Sequence, residues 1–118
     1  MAEGFANFYG KDVLKAKSAG LSPTRVVVNE TIATMLEKNV DISKHYPKKF
    51  DPLEAKKTNL IINMSGFDLP GKLSVEERKW EVRDPFGDTM DVYREVSNDI
   101  EMRVMQLILE LRRLANHK

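Results

Sequence analysis

The stretch Asn59-Leu60-Ile61-Ile62-Asn63-Met64, closed by Ser65-Gly66, decides how this chain is read. A short, nearly continuous apolar run ended by a turn pair is the pattern of a strand covered on both faces, as in a parallel sheet. Parallel strands need crossover helices, and helical patterns lie on either side. Downstream, Asp88 or Thr89 caps a long helix in which Tyr93, Val96, Ile100, Val104, Leu107, Ile108, Leu111 and Leu114 recur at three- and four-residue steps. Arg112, Arg113 and Lys118 cluster at its end, where cations suit the helix dipole. Upstream, Asn29 caps a helix reaching about Lys38, with Ile32, Met35 and Leu36 on one face.

The remaining segments are shorter. Residues 50–57 read as a weaker helix with Pro52 tolerated in its first turn. Residues 2–9 form a short helix stopped by Gly10, with neither an N-cap nor a preceding loop. Residues 13–19, closed by Gly20, and residues 80–82, stopped by Asp84-Pro85, are strand candidates. The order helix, strand, helix, helix, strand, strand, helix predicts an α/β sandwich with a mostly parallel sheet. A length of 118 residues without repeats or linker-like tracts fits one domain, 1–118.

Composition removes whole classes of function. Nineteen Lys+Arg against eighteen Asp+Glu leave a net charge of +1, so no nucleic-acid partner is expected. No stretch approaches the roughly 18 apolar residues of a membrane span, and the first residues lack a secretory pattern. A cytoplasmic protein without a membrane partner is the expectation. The chain has no cysteine, which excludes a disulfide framework, a thiolate metal site and a cysteine nucleophile among these residues. No cofactor and no metal site is expected.

In a parallel sheet, ligands sit at the carboxyl ends of the strands. Asp84 precedes a proline at such an end, where a turn-forming role and a catalytic role are both open. Asp88 and Asp91 read as helix-capping carboxylates, and the run 84–91 does not fit a calcium loop because Thr89 stands at its glycine position. His45 and His117 stand alone without ligand spacing and read as surface residues. Ser18, Ser22, Ser43, Ser65, Ser74 and Ser97 lack the context of a nucleophile elbow. The pairs Lys48-Lys49, Lys56-Lys57 and Arg112-Arg113 read as solvated faces.

Several motifs in order carry a resemblance: Met1-Ala2-Glu3-Gly4-Phe5-Ala6, Ser18-Ala19-Gly20, Asp41-Ile42-Ser43-Lys44-His45, Trp80 with Asp84-Pro85, and the closing amphipathic helix. Together they resemble the low-molecular-weight protein tyrosine phosphatases and, especially, the thioredoxin-coupled arsenate reductases of the same fold. The resemblance implies a three-layer, phosphotyrosine phosphatase I-like sandwich. It also implies a first strand and a Cys-x-x-x-x-x-Arg-Ser phosphate loop that lead into the helix matched by Met1–Ala6, so both lie upstream of Met1. Asp84 matches the family's general acid. Ser65 stands near the position of a second, redox cysteine of the reductases, and no cysteine stands near the third, before Pro70-Gly71.

Without nucleophile and anion cradle, the resemblance implies a non-catalytic, binding-type member in which Asp84 is vestigial. The alternative is part of an active phosphatase or arsenate reductase whose loop lies upstream or on another chain. The fold implied by the family also loses a strand from inside its sheet. Each unsatisfied buried backbone group costs roughly 1–3 kcal/mol against a domain's total of about 5–15 kcal/mol. Repacking, or a strand-swapped homo-oligomer pairing through the exposed edges, is therefore expected.

Overall fold

The structure is a computed structural model that describes residues 1–21, 27–71 and 73–116. Helix α1 (Ala2–Tyr9) is followed by α2 (Asn29–Leu36), the single turn α3 (Pro52–Ala55), strands β1 (Leu60–Asn63) and β2 (Glu76–Lys79), and the long helix α4 (Met90–Asn116). The two strands are parallel, with Leu60 opposite Glu76 and Asn63 opposite Lys79. The chain is thus α/β with a small parallel sheet. Among the described residues, β1 is paired on one edge only.

The core forms where α1 and α2 pack on α4. Phe5 and Ala6 of α1, Met35 of α2, and Val96, Ile100, Val104 and Ile108 of α4 are buried together with Val40 and Ile42. Two glycines allow this approach. A Cβ at Gly4 would stand 2.8 Å from Ile42 Cγ2 and 2.9 Å from Met35 Cε, and one at Gly10 would stand 2.9 Å from Ile108 Cγ1. Gly10 ends α1 at φ −116°, not in the left-handed conformation. Its lack of a side chain serves close packing on α4 instead. Polar ties reinforce the same contacts: Glu101 accepts hydrogen bonds from Tyr9 Oη and Lys38 Nζ, both at 2.8 Å. Arg112 donates to the Tyr9 carbonyl and to Asp12.

The expected α1 and the long final helix are found where the periodicity puts them. Asp51 caps α3 through the Leu53 amide at 2.9 Å, a shorter helix than the 50–57 expected. Other expectations are corrected. Asn29 lies inside α2, whose N-cap is Val28. Leu36 and Leu114 are 49% and 58% exposed, because the buried arc of each helix is narrower than its apolar stripe. Residues 13–19 are not a strand. They have no strand beside them, and the side chain of Asn7 takes that place, accepting from the Ala16 amide at 2.8 Å and donating to its carbonyl at 3.0 Å. Only Gly20 forms a bridge, parallel to Lys49.

The second strand lies at Glu76–Lys79 rather than at residues 80–82. An edge strand with wet sides tolerates four charged residues, so the aromatic Trp80 drew the expectation too far along. Nor is β1 covered on both faces: Asn63 is buried, but Leu60, Ile61 and Ile62 are only half-buried. Ser22 and His117 fall outside the described residues.

Two stability outcomes follow from this packing. Ile108→Ala should cost about 2–5 kcal/mol in chemical denaturation, whereas Leu109→Ala, on the exposed face, should stay within about 0.5 kcal/mol. Equal costs would place the core elsewhere. Burial pushes the Glu101 carboxyl up, but hydrogen bonds from Lys38 and Tyr9 outweigh it and hold the group below its ordinary 4.5. A depressed carboxylate stabilises above its unfolded pKa, and that stability is lost as pH falls through the folded value. Thermal midpoints across pH 7 to 3 should therefore fall less steeply in Glu101→Gln than in the parent chain; parallel curves would contradict the assignment.

Candidate active site

Beside the free edge of the sheet lies a cavity of about 1250 Å³. Met1, Ala2 and Glu3 at the start of α1 form one wall, and Ser18–Gly20 another. Asn63 to Asp68 and Lys79 to Phe86, the segments at the carboxyl ends of β1 and β2, form its mouth. Its floor is apolar, made by Val27, Ile42, Val96 and Ile100. The position matches the rule that parallel sheets place ligands at strand carboxyl ends. The volume exceeds the ~300–1,000 Å³ of ordinary small-ligand pockets.

The turn after β2 presents Asp84. Its Oδ1 accepts the Phe86 amide at 3.0 Å, and the Asp88 amide donates to the Pro85 carbonyl at 2.8 Å. These bonds fold residues 84–88 into a compact turn, with Arg83 reaching both carboxylate oxygens of Asp88 at 3.3 Å. Asp84 therefore makes its turn and still lines the cavity as an exposed carboxyl group. The two roles open in the sequence coexist. Asp88 pairs with Arg83, and Asp91 with Arg94 at 2.9 Å; Thr89, not either aspartate, reaches back to α4 through the Val92 amide. Tyr93, buried under the turn, has its hydroxyl pushed up by burial and by the negative charges of Glu30, Asp84 and Asp88, which keeps it a neutral phenol.

The turn after β1 is built by Asn63. Its side chain is buried, accepting the Ser65 amide and hydroxyl at 3.0 and 2.6 Å and donating to the Phe67 carbonyl at 2.7 Å and Glu77 at 3.0 Å. Ser65 in turn accepts the Phe67 amide at 3.1 Å. Nothing in the apolar run marks Asn63 as the organiser of this wall; only a polar residue ending such a run could have pointed to it. Across the mouth, Ser18 donates to Glu3, and His45 Nδ1 lies 3.8 Å from the other Glu3 oxygen. His45 thus lines the cavity beside Glu3, a partner distant in sequence, rather than standing alone on the surface. Ser43 and Ser97 take no part, the latter on the buried face of α4.

Among the described residues, no group of three His, Asp or Glu side chains could hold a metal ion, and no helix is long and apolar enough to cross a membrane.

Comparisons with known proteins agree with this geometry. Residues 1–70 match the family model described as low molecular weight phosphotyrosine protein phosphatase. A glutaredoxin arsenate reductase of Synechocystis sp. is 31% identical over 115 residues, covering 94% of this chain and 87% of that protein. A solved arsenate reductase in its phosphate-binding state is 30% identical, with a TM-score of 0.83 over 93% of this chain and 86% of the other. The arsenate reductase of Archaeoglobus fulgidus is 25% identical, with a TM-score of 0.80 over 91% and 86%. These likenesses overturn the expectation of a non-catalytic, binding-type protein: over most of their lengths, the similar proteins are arsenate reductases.

Removing the Asn63 side chain tests the wall it builds. Asn63→Ala should cost about 1–3 kcal/mol and speed hydrogen exchange at the Ser65 and Phe67 amides. Unchanged exchange there would show that the turn holds without it.

Proposed function

The chain belongs to the low molecular weight phosphotyrosine protein phosphatase family, and from that premise we propose that it is the body of an active arsenate reductase. The observation that carries this reading is the position of Asp84: an exposed carboxyl group on a rigid turn, facing a cavity at the carboxyl ends of a parallel sheet. The phosphate bound by one of the similar structures is an oxyanion of the same shape and charge as arsenate. The 118 residues form a single phosphatase-like domain whose catalytic thiolate and Cys-x-x-x-x-x-Arg-Ser anion loop are carried outside them, since they contain no cysteine. The first strand of the family fold is carried with that loop.

The chemistry then divides between the two parts. The thiolate attacks arsenic, forming an S–As bond while an As–O bond breaks. Asp84, as the carboxylic acid, gives its proton to the departing oxygen, which leaves as water. Main-chain amides and the loop arginine hold the remaining oxygens. A second thiol attacks the sulfur, forming a disulfide and leaving the S–As electron pair on arsenic as arsenite. Ser65 occupies the wall where such a thiol would approach, so the second thiol also comes from outside these residues. Asn63 fixes that wall and the Arg83–Asp88 pair steadies the acid-bearing turn.

The test is arsenite formation by the chain carrying the strand and cysteine loop ahead of Met1, with arsenate and an excess of dithiol. Turnover above the uncatalysed reaction is expected. It should disappear when the loop cysteine is replaced by serine, and kcat should fall about 10²–10⁴-fold in Asp84→Asn. Turnover of aryl phosphate but not arsenate would move the assignment to the phosphatase branch. No turnover of either by a folded protein would refute the proposal.

A further inference from the structure

Helix α4 is 27 residues long, and Tyr93, Val96, Ile100, Val104 and Ile108 bury one side of it. On the opposite side Met102 and Leu109 are 54% and 53% exposed, with Met105 half-buried between them. At the same steps of three and four, this line continues through Asn98 and Glu95 toward the start of the helix. Toward its end it reaches Arg112, with Arg113 beside it. Apolar residues repeating at such steps along an exposed helix form the seam of a two-helix coiled coil. The cavity lies on the other side of α4: Val96 and Ile100 line it, and no residue of the seam does. A segment filling the cavity leaves the seam bare.

The charges along the seam decide what fits it. Arg94 is held by Glu37 and Asp91, Arg103 by Asp99, and Glu110 by Arg78. Glu95 and Arg113 make no ion pair among the described residues, and they flank the apolar stretch at its two ends. The seam is therefore acidic at one end, apolar in the middle and basic at the other, and it complements itself when turned end for end. We propose that a second copy of this chain docks on this face with its α4 antiparallel to the first. With Met102 meeting Met105 at the twofold axis, Asn98 meets Leu109, and Glu95 of each copy meets Arg112 and Arg113 of the other. The pair is isologous and closed, and the two helix dipoles run in opposition. A parallel pair would set Glu95 on Glu95 and Arg113 on Arg113. The contact from residue 95 to residue 112 is about 26 Å long at 1.5 Å per residue. Its apolar part is short, which makes it a weak, reversible interface rather than an obligate one. Because it lies across α4 from the cavity, both copies keep their mouths open.

Sedimentation equilibrium of the full chain between about 5 and 500 µM tests the proposal. A reversible rise from the monomer mass toward twice that mass is expected. Met102→Glu combined with Leu109→Glu should weaken association by about tenfold or more and leave the melting of the dilute protein unchanged. Glu95→Arg or Arg113→Glu alone should weaken it about threefold, as befits an exposed ion pair, and the two together should restore it. Because the chain lacks cysteine, Asn98→Cys and Leu109→Cys chains report direction. Mixed and oxidised in air, they should link to each other, since only an antiparallel pair brings these positions within disulfide reach. Linking of each to itself would show a parallel pair and overturn the proposal. A monomer at every concentration would also overturn it, leaving the face to a different partner. So would a dimer indifferent to the two glutamates, which would place the contact elsewhere, as at the free edge of β1.

Discussion

A backbone amide or carbonyl taken out of water without a partner costs about 1–3 kcal/mol, and the free edge of β1 is where this structure meets that constraint. Among the described residues the sheet has two strands, one bristling with charge and one largely apolar. Residues 13–19 do not become a strand, Asn7 supplies one residue's worth of strand-like hydrogen bonds to Ala16, and a wide cavity opens over Ile42, Val96 and Ile100. The helical half shares that floor, since Ile42, Val96 and Ile100 also belong to its core. Phe5, Met35, Val104 and Ile108 close a dry core in which Gly4 and Gly10 permit near contact.

The same constraint organises the chemistry. The cavity lies at the strand carboxyl ends, and on the proposed reading the reactive group reaches it from outside these residues. On that reading these residues contribute what does not react with the substrate covalently: an acid on a turn tied by its own hydrogen bonds, a wall ordered by one buried amide side chain, and the first turn of α1. Such parts matter through position. Asp84 can protonate a leaving oxygen only if the turn holds it at the mouth, and that turn is braced by Tyr93 beneath and by Arg83–Asp88 beside it.

Much of this was legible in the sequence because it depends on local periodicity or chain chemistry. Residues 2–9 and the long run from Tyr93 to Ile108 announce their helices by apolar spacing, and Asp84-Pro85 announces a turn at a strand end. The charged β2 was hidden, because a wet edge strand has no apolar alternation to detect. Residues 13–19 misled for the opposite reason: the local pattern is strand-like, but a strand exists only when a second backbone lies beside it. Asn63 and the Glu3–Ser18–His45 grouping were invisible because tertiary contacts bring together residues far apart in sequence. The absence of cysteine suggested lost function, yet it bears only on these residues. Likeness to reductases along most of their length corrects that inference.

The most direct measurement is a crystal structure of the protein carrying its strand and cysteine loop, with phosphate bound. The account predicts the anion held by the loop at the carboxyl ends of β1 and β2, within hydrogen-bond reach of Asp84. An anion bound away from Asp84, or no anion bound by the folded protein, would contradict it.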